Sequence, residues 1–108
     1  MIVCKVERFK KVGVNEIGQS VREWCVDVVL RGWLDLRNEL TNVTTFKSKV
    51  EQSTHIFIAK FQEVDTDVRS ARFVDHLGRI YELLLIDNVM QMNRHLEIYL
   101  KYVGDGDS

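Results

Sequence analysis

The chain has 108 residues, of which 45% are hydrophobic, and this is enough for one domain with a modest core. Fifteen basic and sixteen acidic residues give a formal net charge of -1, which argues against a protein that coats nucleic acid through overall positive charge. No stretch approaches the ~20 apolar residues of a membrane span, and the first residues contain no apolar run of signal-peptide length. We therefore expect a soluble domain that remains where it is made.

Two strand-like segments come first. Residues 1–14 alternate imperfectly and end in a basic stretch that includes Lys10 and Lys11. A short segment with Gly18 follows and predicts a hairpin-type turn, because glycine readily adopts positive φ. Residues 20–37 are rich in β-branched and aromatic residues, which favours a second long strand.

A helix is the alternative for residues 20–37, since several of their apolar residues also fit helical spacing. Gly32 predicts a bulge or a bend, which would give two strands or one bent strand. Trp24 and Trp33 lie among aliphatic residues and are predicted to belong to the core. The competing interpretation is that they stack on bases.

Residues 38–53 differ from the rest because they are polar and rich in Thr, Ser and Asn. Their apolar residues are spaced by three, three and four, which predicts either one weak amphipathic helix or a loop with isolated apolar side chains: Leu40, Val43, Phe46 and Val50. A connection inside a compact domain is usually about 4–6 residues long, and longer ones often carry function. The chain contains no proline that would stiffen this segment.

Four further strands are predicted in the second half of the chain, at 54–61, 71–75, 79–86 and 95–103. The first is apolar on both faces and is expected to be central in the sheet. Leu96, Ile98, Leu100 and Tyr102 are expected to face inward from the last strand. The predicted fold is a mainly β, small antiparallel β-barrel of six or seven strands, with a long polar loop and at most one short helix. One domain would cover residues 1–103, followed by a disordered acidic tail at 104–108.

No catalytic motif is present among the glycine-rich, nucleophile-elbow or zinc-binding patterns. Cys4 and Cys25 form no CxxC pair and are predicted to be reduced core thiols, with a disulfide between two strands as the alternative. The three histidines fall in three different elements, so their spacing gives no metal site. We expect a protein that is not an enzyme and needs no cofactor or metal.

The second half of the chain resembles the head–tail joining, or head-completion, proteins of tailed bacteriophages. The resemblance rests on four short segments: Thr54-His55-Ile56, Arg72-Phe73-Val74, Gly78-Arg79-Ile80-Tyr81 and Leu96-Glu97-Ile98. The first half fits that family loosely. The resemblance implies a structural virion protein, made in the cytoplasm of the bacterial host, that forms a ring below the portal and its adaptor. Such a ring extends or closes the DNA channel and docks the tail.

The resemblance also implies roles for individual residues. The long segment would point into the channel, close to packaged double-stranded DNA but without sequence-specific binding, and its central residues are the predicted channel loop: Thr45, Phe46, Lys47, Ser48 and Lys49. Of these, Lys47 and Lys49 are expected nearest the phosphates. Four basic residues are predicted to contact neighbouring subunits or the adaptor: Lys10, Lys11, Arg72 and Arg79.

Two other functions remain open at this point. A tail-completion protein of the same connector would have the same general architecture. A small single-stranded nucleic-acid binder of OB type would use Trp24 or Trp33 for stacking. Neither alternative involves a membrane.

Overall fold

The computed structural model describes residues 1–36 and 52–105. Within them the chain forms six β-strands: β1 (Ile2–Val14), β2 (Ser20–Leu36), β3 (His55–Lys60), β4 (Ala71–Val74), β5 (Arg79–Asn88) and β6 (His95–Asp105). A short 3-10 turn, Val89–Gln91, connects β5 to β6. The sequence-based expectation of a mainly β fold with six strands is confirmed.

All strand pairs are antiparallel, and the sheet closes on itself in the order β1-β2-β3-β6-β5-β4. Closure removes most of the free strand edges that an open sheet would expose. As predicted, β3 is central, because it pairs with β2 on one side and with β6 on the other.

The helical alternative for residues 20–37 is wrong, since β2 is one continuous strand of 17 residues. Gly32 produces no bulge, and it pairs in register with Ile2 and Ala59. A Cβ atom at this position would clash with the carbonyl oxygen of Ile58. Glycine is therefore required here because β2 and β3 approach closely, and not because the strand bends.

The core lies inside the closed sheet and includes three aromatic side chains, Phe57, Phe73 and Tyr81, which pack against one another at tilted or edge-on angles. Aliphatic side chains from β1, β2 and β6 fill the remaining space: Val6, Leu30, Leu96, Ile98 and Leu100. The three β6 residues Leu96, Ile98 and Leu100 face inward as predicted. The ring of Tyr102 packs edge-on against the buried ring of Tyr81, at 5.4 Å between centroids, but it lies at the end of the core and is 41% exposed.

Strand β6 continues through Gly104 and Asp105, which pair with Ile80 and Arg79. The predicted start of the acidic tail at residue 104 is therefore wrong, because β5 supplies hydrogen-bonding partners for two more residues. Residues 106–108 lie outside the described residues, as do residues 37–51, which include all but the last two residues of the long loop predicted at 38–53.

Candidate assembly surfaces

A hairpin extends beyond the closed part of the sheet. Strand β4 pairs with β1 only at Lys5–Arg8, and β3 pairs with β2 only from Gly32 onward. From Arg8 along the chain to Gly32, β1 and β2 pair with each other and form the projecting hairpin. We call residues 10–24 of this hairpin the β1–β2 arm. The molecule measures 52 × 29 × 27 Å, which fits a rounded body with one projection.

The turn at the tip of the arm is stabilised by the side chain of Asn15. The Asn15 carboxamide oxygen accepts hydrogen bonds from the backbone N–H groups of Ile17 and Gln19, at 3.1 and 2.9 Å. Gly18 has φ +84°, a left-handed conformation that glycine adopts without steric cost. The predicted hairpin turn at residues 15–19 is confirmed.

A bulge at Asp27 decides which side chains of β2 face outward. Val6 pairs with Val28 while Glu7 pairs with Val26, which leaves Asp27 as an extra residue. Because successive side chains alternate between faces, this extra residue reverses the phase of the strand. Trp24 and Val26 are therefore turned out of the core, although simple alternation from buried Leu30 would place them inside.

The prediction that both tryptophans belong to the core is wrong. Trp24 is 38% exposed and Trp33 is 56% exposed. Trp33 lies between the inward-facing positions Gly32 and Leu34, so its side chain has to project outward. Both rings are available on the outer surface.

Trp24 is the centre of a mixed aromatic and charged cluster on the outer surface. Its ring lies 5.2 Å from the ring of Phe9, centroid to centroid, and 4.3 Å from the Arg72 guanidinium carbon. Arg72 Nε also donates a hydrogen bond to Glu7 Oε1 at 2.7 Å, and Lys5 Nζ lies 3.6 Å from the other Glu7 oxygen. Tryptophan and arginine are the residues most enriched at protein–protein hot spots.

Arg8 fixes the base of the arm from the opposite side. Its guanidinium donates to the Asp27 carboxylate at 2.9 Å and to the backbone carbonyls of Asp65 and Asp67 at 2.7 and 2.5 Å. These contacts join the bulge of β2 to the connection between β3 and β4. The arm is therefore anchored where it leaves the sheet, while its outer part has no such support among the described residues.

The most buried carboxylate among the described residues lies at the other end of the sheet. Asp75 follows β4, is 4% exposed and accepts hydrogen bonds from Tyr81 Oη at 2.9 Å and Arg79 Nε at 2.7 Å, as well as from the backbone N–H groups of Leu77 and Arg79. Burial opposes ionisation, but these four donors together hold the pKa of Asp75 below its usual value.

Two aromatic neighbours extend this network. Burial, followed by the hydrogen bond to Asp75, raises the pKa of Tyr81 to about 12. His55 packs edge-on against Tyr81, and burial together with the charge of Arg79 lowers the pKa of the imidazole. All acceptor positions of the Asp75 carboxylate accept hydrogen bonds. We therefore interpret Asp75 as a residue that stabilises the β4–β5 turn and not as a catalytic acid.

The described residues also form a shallow groove. A shallow groove of about 490 Å³ lies between the β3–β4 connection and the ends of β5 and β6, lined by Phe61, Val64, Thr66, Asn88 and Leu96, among others. In the described ranges, no three His, Cys, Asp or Glu side chains are grouped so that they could hold a metal ion. No helix in the described part of the chain is long and apolar enough to cross a membrane.

The predicted contact residues fall into two separate regions. Lys10 and Lys11 lie on adjacent positions of the arm, and Arg72 lies near its base, against Trp24. Arg79 lies at the opposite end of the sheet and is engaged by Asp75. The predicted channel residues, Thr45, Phe46, Lys47, Ser48 and Lys49, lie outside the described residues.

The sequence interpretation missed the outer aromatic cluster of Phe9, Trp24 and Arg72. Phe9 and Lys11 alternate with Lys10, and this alternation indicates a strand whose two faces carry different side chains. The partner residues on β2 could not be assigned, because their faces depend on the bulge at Asp27.

Comparison with models of known protein families gives no match, and comparison with curated proteins gives no significant match. Assignment of a function therefore depends on the geometry described above and on the resemblance of the short segments.

Proposed function

We propose that this chain is a structural virion protein of a tailed phage that forms a ring at the head–tail interface. In this role it extends or closes the DNA channel below the portal and its adaptor, and it docks the tail. The protein acts through contacts with copies of itself and with its neighbours in the connector, and not through turnover of a substrate.

The observation that carries the proposal is the β1–β2 arm. Among residues 1–36 and 52–105, Ser20 to Trp24 and the facing residues of β1 pair only with each other, so within these ranges the outer edges of both strands have no further strand partner. Open edges and exposed apolar side chains are costly in a monomer that has no partner. Four exposed apolar side chains lie on the arm: Val12, Val14, Ile17 and Trp24. Others continue along the same two strands outside the arm, among them Val3, Val26 and Val29.

The rest of the described structure is consistent with a passive role. Buried Asp75 is saturated by donors, and the Cys4 thiol is in the core, where burial raises its pKa to about 11. Such a thiol is a poor nucleophile. These observations support a scaffold whose working parts are its surfaces.

The test is addition of the purified chain to a portal–adaptor complex, followed by negative-stain electron microscopy. The proposal predicts one extra ring below the adaptor and, after it, tail attachment. Failure to add a ring under conditions in which the natural connector admits the tail would contradict the proposal. The tail-completion alternative predicts instead that the chain co-purifies with tails that lack heads.

One observation favours a second candidate function. Trp33 is exposed on the outer face with Arg31 two residues before it, and an exposed ring beside a cation is the arrangement used for base stacking. Trp24 is less suited, because Arg72 already covers one face of its ring. Quenching of Trp33 fluorescence by a single-stranded oligonucleotide at low salt would support nucleic-acid binding, and unchanged fluorescence would exclude it.

A further inference from the structure

The outer surface of the closed sheet carries one pair of basic residues and, elsewhere, one pair of acidic residues. On the arm, Lys11 and Arg22 are directly opposite each other in the β1–β2 ladder. On the body, Asp87 and Glu97 are directly opposite each other in the β5–β6 ladder. Like charges in this position destabilise a sheet, since their side chains are brought close together.

Neither pair has a strong counter-ion in the described part of the chain. Lys11 and Arg22 form no ion pair there and are exposed. Glu97 lies 3.7 Å from His95, which is charged only when protonated, and it accepts a hydrogen bond from Tyr99. Burial and the nearby Glu97 raise the pKa of Asp87, and the charge of His95 opposes this rise only in part.

The strand order places the two pairs on opposite sides. Around the closed sheet, β1 is three strands from β6 in either direction, and β2 is three strands from β5 in either direction. The basic and the acidic pair therefore face away from each other. One molecule cannot bring them together, but a second copy can.

Apolar side chains accompany both pairs. Phe9 and Trp24 are the next outward positions beside the basic pair. Beside the acidic pair, Ile58 is the β3 neighbour of Glu97, and Leu85 and Tyr99 are the next outward positions on β5 and β6. Each face thus combines charge with apolar area, which is the composition of a specific interface.

We propose that the outer face of the β1–β2 arm in one copy docks onto the outer face of β5–β6 in the next copy, with Lys11 and Arg22 against Asp87 and Glu97. Because two different faces of each copy are used, the contact is heterologous and repeats head to tail. This inference rests on the proposed function, and it specifies which surfaces hold the ring together.

Charge reversal tests the pairing. A basic-reversed variant carries Lys11→Glu and Arg22→Glu, and an acidic-reversed variant carries Asp87→Lys and Glu97→Lys. Each variant alone brings like charges together at every contact, so we expect ring addition to the portal–adaptor complex to need at least about tenfold more protein. The four changes combined in one chain restore opposite charges and should restore ring addition.

Mixing supplies a second test that does not depend on the combined variant. In a mixture, basic-reversed and acidic-reversed chains can alternate around the ring, and every contact then joins opposite charges. The mixture should therefore assemble where neither component does. The matched control exchanges the charges of Lys10 and Glu23, which face each other on the other side of the arm, and it should assemble like the unmodified protein.

A chemical test uses the unmodified protein. Carbodiimide joins a lysine amine directly to a carboxylate, so assembled rings made from isotope-labelled and unlabelled copies should yield mixed-label peptides joining Lys11 to Asp87 or Glu97. If rings form equally well with every reversed variant and without this cross-link, the inference is wrong while the proposed function stands. If the unmodified protein forms no ring, the proposed function and the inference both fail.

Discussion

Arg72 and Trp24 lie in a stacked arrangement on the outside of the sheet, with the guanidinium carbon 4.3 Å from the ring centroid. The same guanidinium donates from Nε to Glu7, which is only 8% exposed. One arginine therefore orients an exposed tryptophan and neutralises a nearly buried carboxylate. This double role leads to the first prediction.

Replacement of Arg72 by Ala should destabilise the protein by about 1–3 kcal/mol, because it leaves the Glu7 carboxylate with only a distant lysine partner. It should also change the emission of Trp24, whose ring loses a cation from one face. Urea unfolding followed by tryptophan fluorescence measures both effects, with Trp33→Phe as the background that isolates Trp24. Arg22→Ala, which removes an arginine from the same face without these contacts, is the control and should leave stability nearly unchanged.

Replacement of Asp75 by Asn should flatten the dependence of stability on acid pH. The folded pKa of Asp75 is lowered, so its ionised form stabilises the fold above the unfolded pKa of about 4, and this contribution is lost as the pH falls through the folded value. The variant should be less stable at neutral pH by about 1–3 kcal/mol, and the difference should shrink on acidification. Denaturant unfolding across the acid range measures this, with Glu63→Gln as the control.

An equal loss of stability at every pH would contradict the assignment of this pH dependence to the Asp75 carboxylate. Tyr81→Phe provides a further check on the same network. It removes one donor to Asp75, so it should move the acid transition toward higher pH without abolishing it.

Replacement of Gly32 by Ala should be strongly destabilising, because the added methyl group would meet the Ile58 carbonyl where β2 and β3 approach. Overpacking of this kind costs about 3 kcal/mol. Gly13→Ala is a matched control, since a Cβ atom there would have no neighbour within 4 Å. Thermal unfolding followed by circular dichroism should separate the two variants clearly, and similar melting temperatures would show that β2 and β3 can move apart.

The two thiols should differ in reactivity. Burial raises the pKa of Cys4 to about 11, whereas Cys25, at the base of the arm, is only half-buried. A disulfide-exchange reagent should therefore modify one thiol per folded chain quickly and the second only after unfolding. Cys25→Ser should remove the fast reaction, and a fast reaction that persists in this variant would show that the core opens near β1.

The sequence allowed the strands to be predicted where one physical signal dominated. Phe57 and Ala59 alternate with partly buried isoleucines and predict a central strand, and Leu96, Ile98 and Leu100 predict a strand with one buried face; both are confirmed. Asn15 and Gly18 supply the chemistry of the turn between β1 and β2. Such local signals do not depend on the rest of the fold.

The errors arose where pairing between distant strands decides the result. The extra residue Asp27 turns Trp24 outward, and only the register of β1 against β2 reveals it. The role of Gly32 likewise depends on a carbonyl of β3, which is 26 positions later in the chain. The opposition of Asp87 to Glu97 also follows from register, so the sequence alone does not show that these carboxylates meet.

Closure of the sheet has a consequence for how the molecule moves. Strands β3, β4, β5 and β6 each have hydrogen-bonded neighbours on both sides, so none of them can detach without breaking two ladders. Among the described strands, the outer part of the β1–β2 hairpin is held by one ladder only. Its amide protons should therefore exchange with solvent well before those of the enclosed strands. In the proposed ring, this segment could then adjust to a neighbouring copy while the interior keeps its shape.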